Sequence, residues 1–208
     1  TRMSTHAMER KFDELKADLS DGLRTIAMIS VLASAGLIVL AYPISRVFVG
    51  EIPSTIALGN AVIAMVVGLL PFSYVFMIQR AFYSLEDTRT PFLFTVVQTV
   101  LNIFGSIMVA IYAEHVWIVV CLSLVTSGSI LVQAVLAFVM FKRKFGSLGH
   151  SHLTLATGKF VFAAVVAGLA GFGMLQLMGG ARPGAFPVLN IISAATTCAI
   201  IGGTMTLI

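Results

Sequence analysis

Long apolar runs alternate with short polar segments along the whole chain. Six runs reach the roughly 20 residues that a helix needs to cross the hydrocarbon core of a bilayer. They extend over about residues 23–44, 55–85, 91–112, 116–141, 158–178 and 186–208. All are much longer than the roughly ten residues of a membrane β-strand, and none alternates with a period of two. The pattern therefore predicts an all-α membrane protein with six transmembrane helices.

Two segments depart from a simple series of spans. Residues 5–20 carry apolar side chains at helical spacing among many charged ones, which is typical of an amphipathic helix. We expect residues 1–22 to form a cytoplasmic helix and linker, followed by the transmembrane region 23–208. The run 55–85 is too long for one straight crossing and has Pro71 near its middle, so we expect a kinked or tilted helix there.

The composition supports a membrane location. Hydrophobic residues make up 58% of the 208 residues and charged residues 11%, whereas soluble domains carry about 25% charged residues. The mean hydropathy is +1.00. Such a chain has too few polar groups to cover a globular surface, and a bilayer is its natural solvent. The two cysteines, Cys121 and Cys198, lie inside apolar runs and form neither a disulfide framework nor a metal-ligand pattern.

The basic residues predict the orientation in the membrane. All but Arg46 and Arg182 of the 13 Lys and Arg residues lie in the amino-terminal arm or in the second-to-third and fourth-to-fifth connections. The positive-inside rule places these segments, and both chain termini, in the cytoplasm. The net charge of +4 thus follows from topology, and no nucleic acid partner is expected. Because the chain begins at Thr1 and stops within an apolar run, we expect it to be part of a larger membrane protein.

Polar side chains form stripes within the third and fourth spans. At 100° per residue, those of the third span fall within about 100° of arc. They are Thr95, Gln98, Thr99, Asn102 and Ser106, and the fourth span carries Ser123, Thr126, Ser127 and Gln133. Two interpretations stay open, namely hydrogen bonds between helices and the lining of a water-filled cavity. The fifth span has small residues at Ala164, Gly168 and Gly171, which predict close packing against a neighbouring helix.

The sequence contains no pattern of catalytic residues. No Asp or Glu lies within a predicted span, and the four histidines lie in the amino-terminal arm and in connections. A proton relay built on carboxylates is therefore not expected. A nucleophile with a neighbouring base and a phosphate-binding glycine loop are also not visible. The protein is not expected to be an enzyme, and neither a metal nor a cofactor is expected.

The stretch RAFYSLEDTRTPF, residues 80–92, interrupts the apolar pattern with charge. We expect Arg80 to extend to the membrane interface and Phe82 and Tyr83 to lie at headgroup depth. The following turn and Pro91, placed at the first position of the next helix, predict a rigid helical hairpin on the cytoplasmic rim.

The turn itself offers two further interactions. Thr88 or Thr90 has the hydroxyl that caps a helix start. Asp87 and Arg89 have opposite charges, and an exposed pair of this kind contributes about 0–1 kcal/mol.

The same stretch resembles the R-x-F-Y-x-x-x-D-T-x-T-P signature of the MurJ/MviN family, the bacterial lipid II flippases of the MOP exporter superfamily. The matching positions of the turn are Phe82, Tyr83, Asp87, Thr88, Thr90 and Pro91. VVGLLPFSYVFMIQRAFY is similar to the family's tenth span, and LSDGLR to the link before its ninth. The resemblance implies that the six spans correspond to the last six of fourteen helices in a two-lobed bundle.

The resemblance also implies transport without covalent chemistry. Family members move lipid II, an undecaprenyl-pyrophosphate-linked disaccharide-pentapeptide, from the inner to the outer leaflet by alternating access. A pyrophosphate group favours arginine, and the candidate substrate-binding residues are Arg24, Arg80, Gln98 and Asn102. Some members couple transport to sodium, and the candidate cation-binding residues are Asn102, Ser106 and Thr126.

A multi-pass protein of the bacterial cytoplasmic membrane is implied, with lipid II, membrane lipids and the amino-terminal half of the same protein as partners. Cell-wall synthesis or division proteins are further candidate partners, and coupling to sodium or to the membrane potential is left open. Two alternatives remain. One is another exporter of the superfamily, such as a multidrug or cation antiporter or an O-antigen flippase, and the other is a non-transporting membrane scaffold for cell-wall synthesis.

Overall fold

The computed structural model describes residues 12–49, 51–115, 117–146 and 150–177, and this part of the chain is built from six α-helices. They are α1 (Phe12–Phe48), α2 (Ile52–Val66), α3 (Leu69–Ser84), α4 (Arg89–Tyr112), α5 (Ile118–Phe145) and α6 (His150–Leu177). No strand occurs in these residues. The predicted all-α fold is confirmed, while the predicted span 186–208 lies outside the described residues.

Several of these helices are suited to cross a bilayer. Within the described residues, α1, α4 and α5 are each long and apolar enough, and α2 and α3 qualify together as a pair bent by 41°. That gives three spans, or four when the bent pair is counted as one crossing. The described apolar part of α6, Thr157–Gly173, is shorter than a full crossing. Which side of the membrane each end faces stays a prediction.

The helix α1 has no linker near residue 22. It runs without a break from Phe12 to Phe48, so the expected separation of an amphipathic segment from a span beginning at residue 23 is not seen. The reason lies in packing, because Leu19 and Leu23 are fully buried one turn apart in the same cluster as residues of α3 and α5. Burial of both side chains fixes the helical conformation across the polar residues between them.

The second predicted span consists of two helices rather than one kinked helix. Pro71 has no N–H to donate to the carbonyl of Val67, and its ring would collide with that carbonyl in a continuous helix. The chain accordingly breaks at Val67 and Gly68, where the N–H of Gly68 donates to Met65 O at 3.0 Å instead of to Ala64. The Ser127 hydroxyl of α5 donates to the released Ala64 carbonyl at 2.7 Å. A side chain of another helix thus supplies the hydrogen bond that the Ala64 carbonyl loses at the break.

The helices pack around α1 and α5. The helix α5 packs against α2, α3 and α4, and α1 packs against α2, α3 and α6. Small residues allow α1 and α6 to pack closely. Ala164 and Ala167 of α6 lie buried in one cluster with residues of α1, namely Val31, Ala35 and Val39. The predicted packing role of the fifth span is confirmed.

Neutral hydrogen bonds link further helix pairs. Ser30 of α1 donates to the Ser73 hydroxyl of α3 at 2.7 Å. The Tyr42 hydroxyl of α1 donates to Asn60 Oδ1 of α2 at 2.6 Å, and the Tyr74 and Thr157 hydroxyls of α3 and α6 lie 2.7 Å apart. Bonds of this kind contribute about 0.6 kcal/mol each between membrane helices, so they specify which faces meet more than they stabilise the bundle.

Candidate functional site

The predicted hairpin is found between α3 and α4, and its backbone is tightly defined. The helix α3 ends in a Schellman motif, in which the N–H of Asp87 donates to Phe82 O and that of Glu86 to Tyr83 O, both at 3.1 Å. Glu86 takes the left-handed conformation with φ 58° at the position where glycine is usual. A side chain there costs roughly 1–2 kcal/mol. The surrounding contacts therefore have to hold the turn in place.

Asp87 caps α4. Its Oδ1 accepts hydrogen bonds from the backbone N–H groups of Arg89 at 3.1 Å and Thr90 at 3.2 Å, and its Oδ2 accepts one from the Thr90 hydroxyl at 2.6 Å. The expectation that Thr88 or Thr90 supplies the cap is wrong, since a carboxylate is the stronger acceptor and interacts favourably with the positive end of a helix dipole. Because α4 begins at Arg89, Pro91 is its third residue rather than its first. Its missing N–H still lies among the four that have no partner within a helix.

An ion pair joins this turn to the end of α5. Lys144 Nζ donates to Asp87 Oδ2 at 2.6 Å, with the Asp87 side chain 13% exposed and that of Lys144 50% exposed. The predicted side-chain pair between Asp87 and Arg89 is not found among the described residues. The partner that the sequence did not reveal lies 57 residues further along the chain.

The environment of Asp87 keeps its carboxylate ionised. Partial burial raises its pKa, but the hydrogen bonds from Lys144 and Thr90 outweigh that effect and lower the pKa from 3.8 to about 2. A depressed pKa in the folded state means that the contribution of Asp87 to stability is complete above about pH 4. That contribution is lost as the pH falls towards 2. Asp87 is therefore ionised at neutral pH.

An aromatic cluster lies beneath the turn. The fully buried ring of Phe82 has its centroid 6.4 Å from that of Phe94, 5.7 Å from Phe141 and 5.9 Å from Phe145. Tyr83 is 53% exposed. Phe82 and Tyr83 were both expected at headgroup depth, but only Tyr83 faces outwards. Phe82 instead packs between α3, α4 and α5. We call the 85–88 turn, this aromatic cluster and Lys144 together the corner.

The polar stripes of α4 and α5 face each other. Asn102 Nδ2 donates to the hydroxyls of Thr126 at 3.2 Å and Ser129 at 3.3 Å. Gln98 Nε2 donates to the Ser129 hydroxyl at 3.3 Å, and Gln133 Nε2 of α5 donates to that of Thr95 at 3.3 Å. The structure thus contains the hydrogen bonds between α4 and α5 that the first of the two interpretations requires. A role of these residues in binding substrate stays a prediction.

The candidate cation ligands are only partly brought together. Asn102 directs its amide nitrogen towards Thr126, whereas a hard cation needs oxygen ligands. Ser106 lies one turn beyond Asn102 on α4. In the described residues, no group of three or more His, Cys, Asp or Glu side chains could hold a metal ion. The cation site remains a prediction.

The candidate arginines lie on exposed helix surfaces. Arg24 is exposed on α1. Arg80 is exposed on α3, one turn before the corner, with its guanidinium carbon 4.8 Å from the centroid of the Phe76 ring. No hydrogen bond joins either of them to Gln98 or Asn102 in the described part of the chain. The four residues predicted to bind substrate therefore do not form a single site within this chain.

A cleft of about 550 Å³ opens between α1, the α2–α3 pair and α6. Among the described residues its lining is almost entirely apolar, with Ser34 and Tyr42 as the only polar side chains. Because no described residue of the lining is charged, this part of the cleft is unsuited to hold an anionic headgroup. The candidates for anion binding lie elsewhere, on the exposed faces of α1 and α3.

Comparison with known proteins gives three consistent matches. A family model described as lipid II flippase MurJ matches residues 1–189. A probable lipid II flippase MurJ of Vibrio cholerae serotype O1 is 28% identical over 178 residues, covering 81% of this chain and 32% of that protein. A solved structure of lipid II flippase MurJ in an inward closed conformation matches with a TM-score of 0.71 and 18% identity, covering 97% of this chain and 41% of that one. The chain thus spans about a third of the length of its curated relative.

Proposed function

Because this chain belongs to the MurJ family of lipid II flippases, we propose that the full-length protein containing it moves lipid II from the inner to the outer leaflet of the bacterial cytoplasmic membrane. The chain is proposed to supply six of about fourteen spans, as its resemblance to the family implies, and the rest of that protein to supply the others. The family match over residues 1–189 carries this proposal. The described part of the chain supports it with helices that are long and apolar enough to cross a membrane.

The proposed mechanism is alternating access, in which two lobes rock about a central site. Such motion needs lobes that keep their internal packing while they move. Hydrogen bonds among the described helices support this proposal, because they join α5 to α2 through Ser127, to α4 through Asn102 and to the turn before α4 through Lys144. The chain is proposed to act as most of one rigid lobe, with the substrate meeting its exposed surfaces.

Arginines are the proposed contacts for the pyrophosphate of the substrate. A guanidinium group is always charged and its planar fork matches phosphate oxygens. Arg80 is the stronger candidate of the two, because the neighbouring ring of Phe76 holds its guanidinium group on the exposed face of α3. Arg24 is the second candidate, and its side chain is also exposed on the surface of α1.

A reconstitution experiment tests this function and the role of Arg80 together. In proteoliposomes that contain the full-length protein and fluorescent lipid II, we expect transfer of the lipid between leaflets, and we expect Arg80→Ala to lower its rate several-fold. Arg89→Ala is the matched control, because Arg89 is equally exposed nearby and stands at a variable position of the signature. Transfer of an undecaprenyl-linked O-antigen oligosaccharide or of a drug cation instead of lipid II would replace the proposed function by another exporter function. Equal rates for the two arginine variants would remove Arg80 from the substrate site.

A substitution of Asn102 separates the two interpretations of the polar stripe. We expect Asn102→Leu to lower the free energy of unfolding by about 0.6–1.7 kcal/mol, because it removes two hydrogen bonds between membrane helices. Thr99→Leu is the control, since its hydroxyl bonds only to the Thr95 carbonyl within α4. We expect the sodium dependence of transport to be the same in both variants. Loss of a sodium dependence in Asn102→Leu alone would assign Asn102, with Ser106 and Thr126, to a cation site.

A further inference from the structure

The angle between α3 and α4 is set by a third helix. The two arms of the hairpin touch each other little, whereas α5 packs along both of them. Phe141 of α5 lies in contact with Phe82 of α3, and both belong to the same buried cluster as Phe94 of α4. A hairpin whose arms scarcely meet has no stiffness of its own beyond its turn. Its opening therefore depends on how firmly α5 is held against it.

At the rim of the bundle, Lys144 supplies the polar link between α5 and the hairpin. The helix α5 ends one residue later, at Phe145, where Gly146 takes φ 87° and its N–H donates to Lys142 O at 2.9 Å. That ending places Lys144 in the last turn, opposite the carboxylate of Asp87. Lys142 and Arg143 lie in the same turn and are exposed. Of the three bases, Lys144 alone is bonded to Asp87 in the described residues.

We propose that Lys144 is a positioning residue for transport, which fixes the α3–α4 hairpin against α5 so that the exposed face of α3 keeps its place as the lobes move. This inference rests on the proposed function. Arg80 lies on α3 one turn from the corner, so a change in the hairpin angle shifts Arg80 directly. Lys144 acts through Asp87 and does not contact the substrate.

The geometry of Asp87 makes this role separable from folding. Its other three hydrogen bonds come from Arg89 and Thr90 within the turn and the start of α4. They cap α4 and do not reach α5. Removal of the lysine charge therefore leaves the cap and the aromatic contacts in place and releases only the polar link to α5. An ion pair with one partner half exposed also contributes little to overall stability.

Distance measurements on the full-length protein test the positioning step without any substrate. Spin labels at Phe72 of α3 and Leu101 of α4, both exposed, report the opening of the hairpin in a cysteine-free background. We expect Lys144→Met to broaden the distance distribution and Lys144→Arg to retain the wild-type width. Lys142→Met is the control, because it removes a neighbouring charge that forms no ion pair with Asp87 in the described part of the chain. Identical distributions for Lys144→Met and wild type would overturn the proposal, whatever the protein transports.

Transport by the same variants tests the consequence. We expect Lys144→Met to lower the rate of lipid II transfer by between about twofold and thirtyfold, the range typical of residues that couple sites without touching a ligand. Lys144→Arg restores most of the rate, and the unfolding temperature of all three variants stays close to wild type. A loss of rate that follows a loss of thermal stability would show a purely structural role. Absence of transfer by the wild-type protein would count against the proposed function, and the distance measurement would still decide the role of Lys144.

Discussion

Replacing Phe82 with alanine is expected to lower the free energy of unfolding by about 3–5 kcal/mol, the usual effect of removing a large buried aromatic side chain. Phe82 is fully buried, and its ring adjoins those of Phe94, Phe141 and Phe145. These residues come from α3, α4 and α5, so the cavity would open where three helices meet. Unfolding of the purified protein in detergent, followed by heating or by titration with a denaturing detergent, measures the effect.

The neighbouring tyrosine provides a matched control. Tyr83 is the next residue of the same helix and is 53% exposed, so Tyr83→Ala is expected to change stability by no more than about 0.5 kcal/mol. Phe82→Leu keeps most of the buried volume and is expected to cost less than about 1.5 kcal/mol. A change of no more than about 0.5 kcal/mol for Phe82→Ala as well would mean that the signature phenylalanine faces lipid, as its position near the membrane interface first indicated.

The residues of the family signature thus have a structural explanation. Phe82 fills the core of the corner, Asp87 caps α4, and Thr90 donates to the same carboxylate. Pro91 is buried in the first turn of α4. Four of the six signature positions, Phe82, Asp87, Thr90 and Pro91, thus help to close a helical hairpin in the described chain, whereas Tyr83 and Thr88 are exposed. A role of the exposed face of α3 in binding substrate stays a proposal.

The sequence was informative wherever local periodicity decides the structure. The third predicted span, 91–112, differs from α4 (Arg89–Tyr112) by two residues at its start. Its polar stripe meets a stripe on α5, as expected for residues that avoid hydrocarbon. Pro71 correctly marked an interruption of the long second run, because the loss of a backbone donor is a local property of proline.

Contacts between residues far apart in the sequence could not be predicted from local periodicity. Ser127 satisfies the carbonyl of Ala64 across 63 residues, and Lys144 pairs with Asp87 across 57. The sequence predicted the neighbouring Arg89 as the partner of Asp87, and only the direction in which α5 ends brings Lys144 to it. The sequence likewise gave no reason to prefer a complete break at Gly68 over a kink. That choice depends on a hydroxyl from another helix, which removes the penalty of an unsatisfied carbonyl in the membrane.

The break between α2 and α3 leads to the second large prediction, since Gly68→Ala is expected to lower the free energy of unfolding by about 1–3 kcal/mol. A methyl group at Gly68 would lie 3.0 Å from Ser127 Oγ and 3.1 Å from Ser127 Cα. The Cα atom belongs to the backbone of α5 and cannot rotate away. The helices must separate instead, which also weakens the hydrogen bond from Ser127 to Ala64. Thermal unfolding of the variant in detergent measures this loss.

Backbone preference alone predicts that Gly68→Ala raises the free energy of unfolding. Gly68 has φ −80° and ψ −12°, a conformation that alanine adopts readily, and glycine-to-alanine changes at such positions normally stabilise by about 0.4–1 kcal/mol. Gly128 of α5 shows that case, because in the described residues no atom beyond its own stretch of helix lies within 4 Å of the position of its added methyl group. Gly128→Ala is therefore expected to raise stability by up to about 1 kcal/mol, while Gly68→Ala lowers it. If both variants are more stable than wild type, α5 does not approach the break closely enough for Ser127 to satisfy it, and the two-helix arrangement of this span needs another cause.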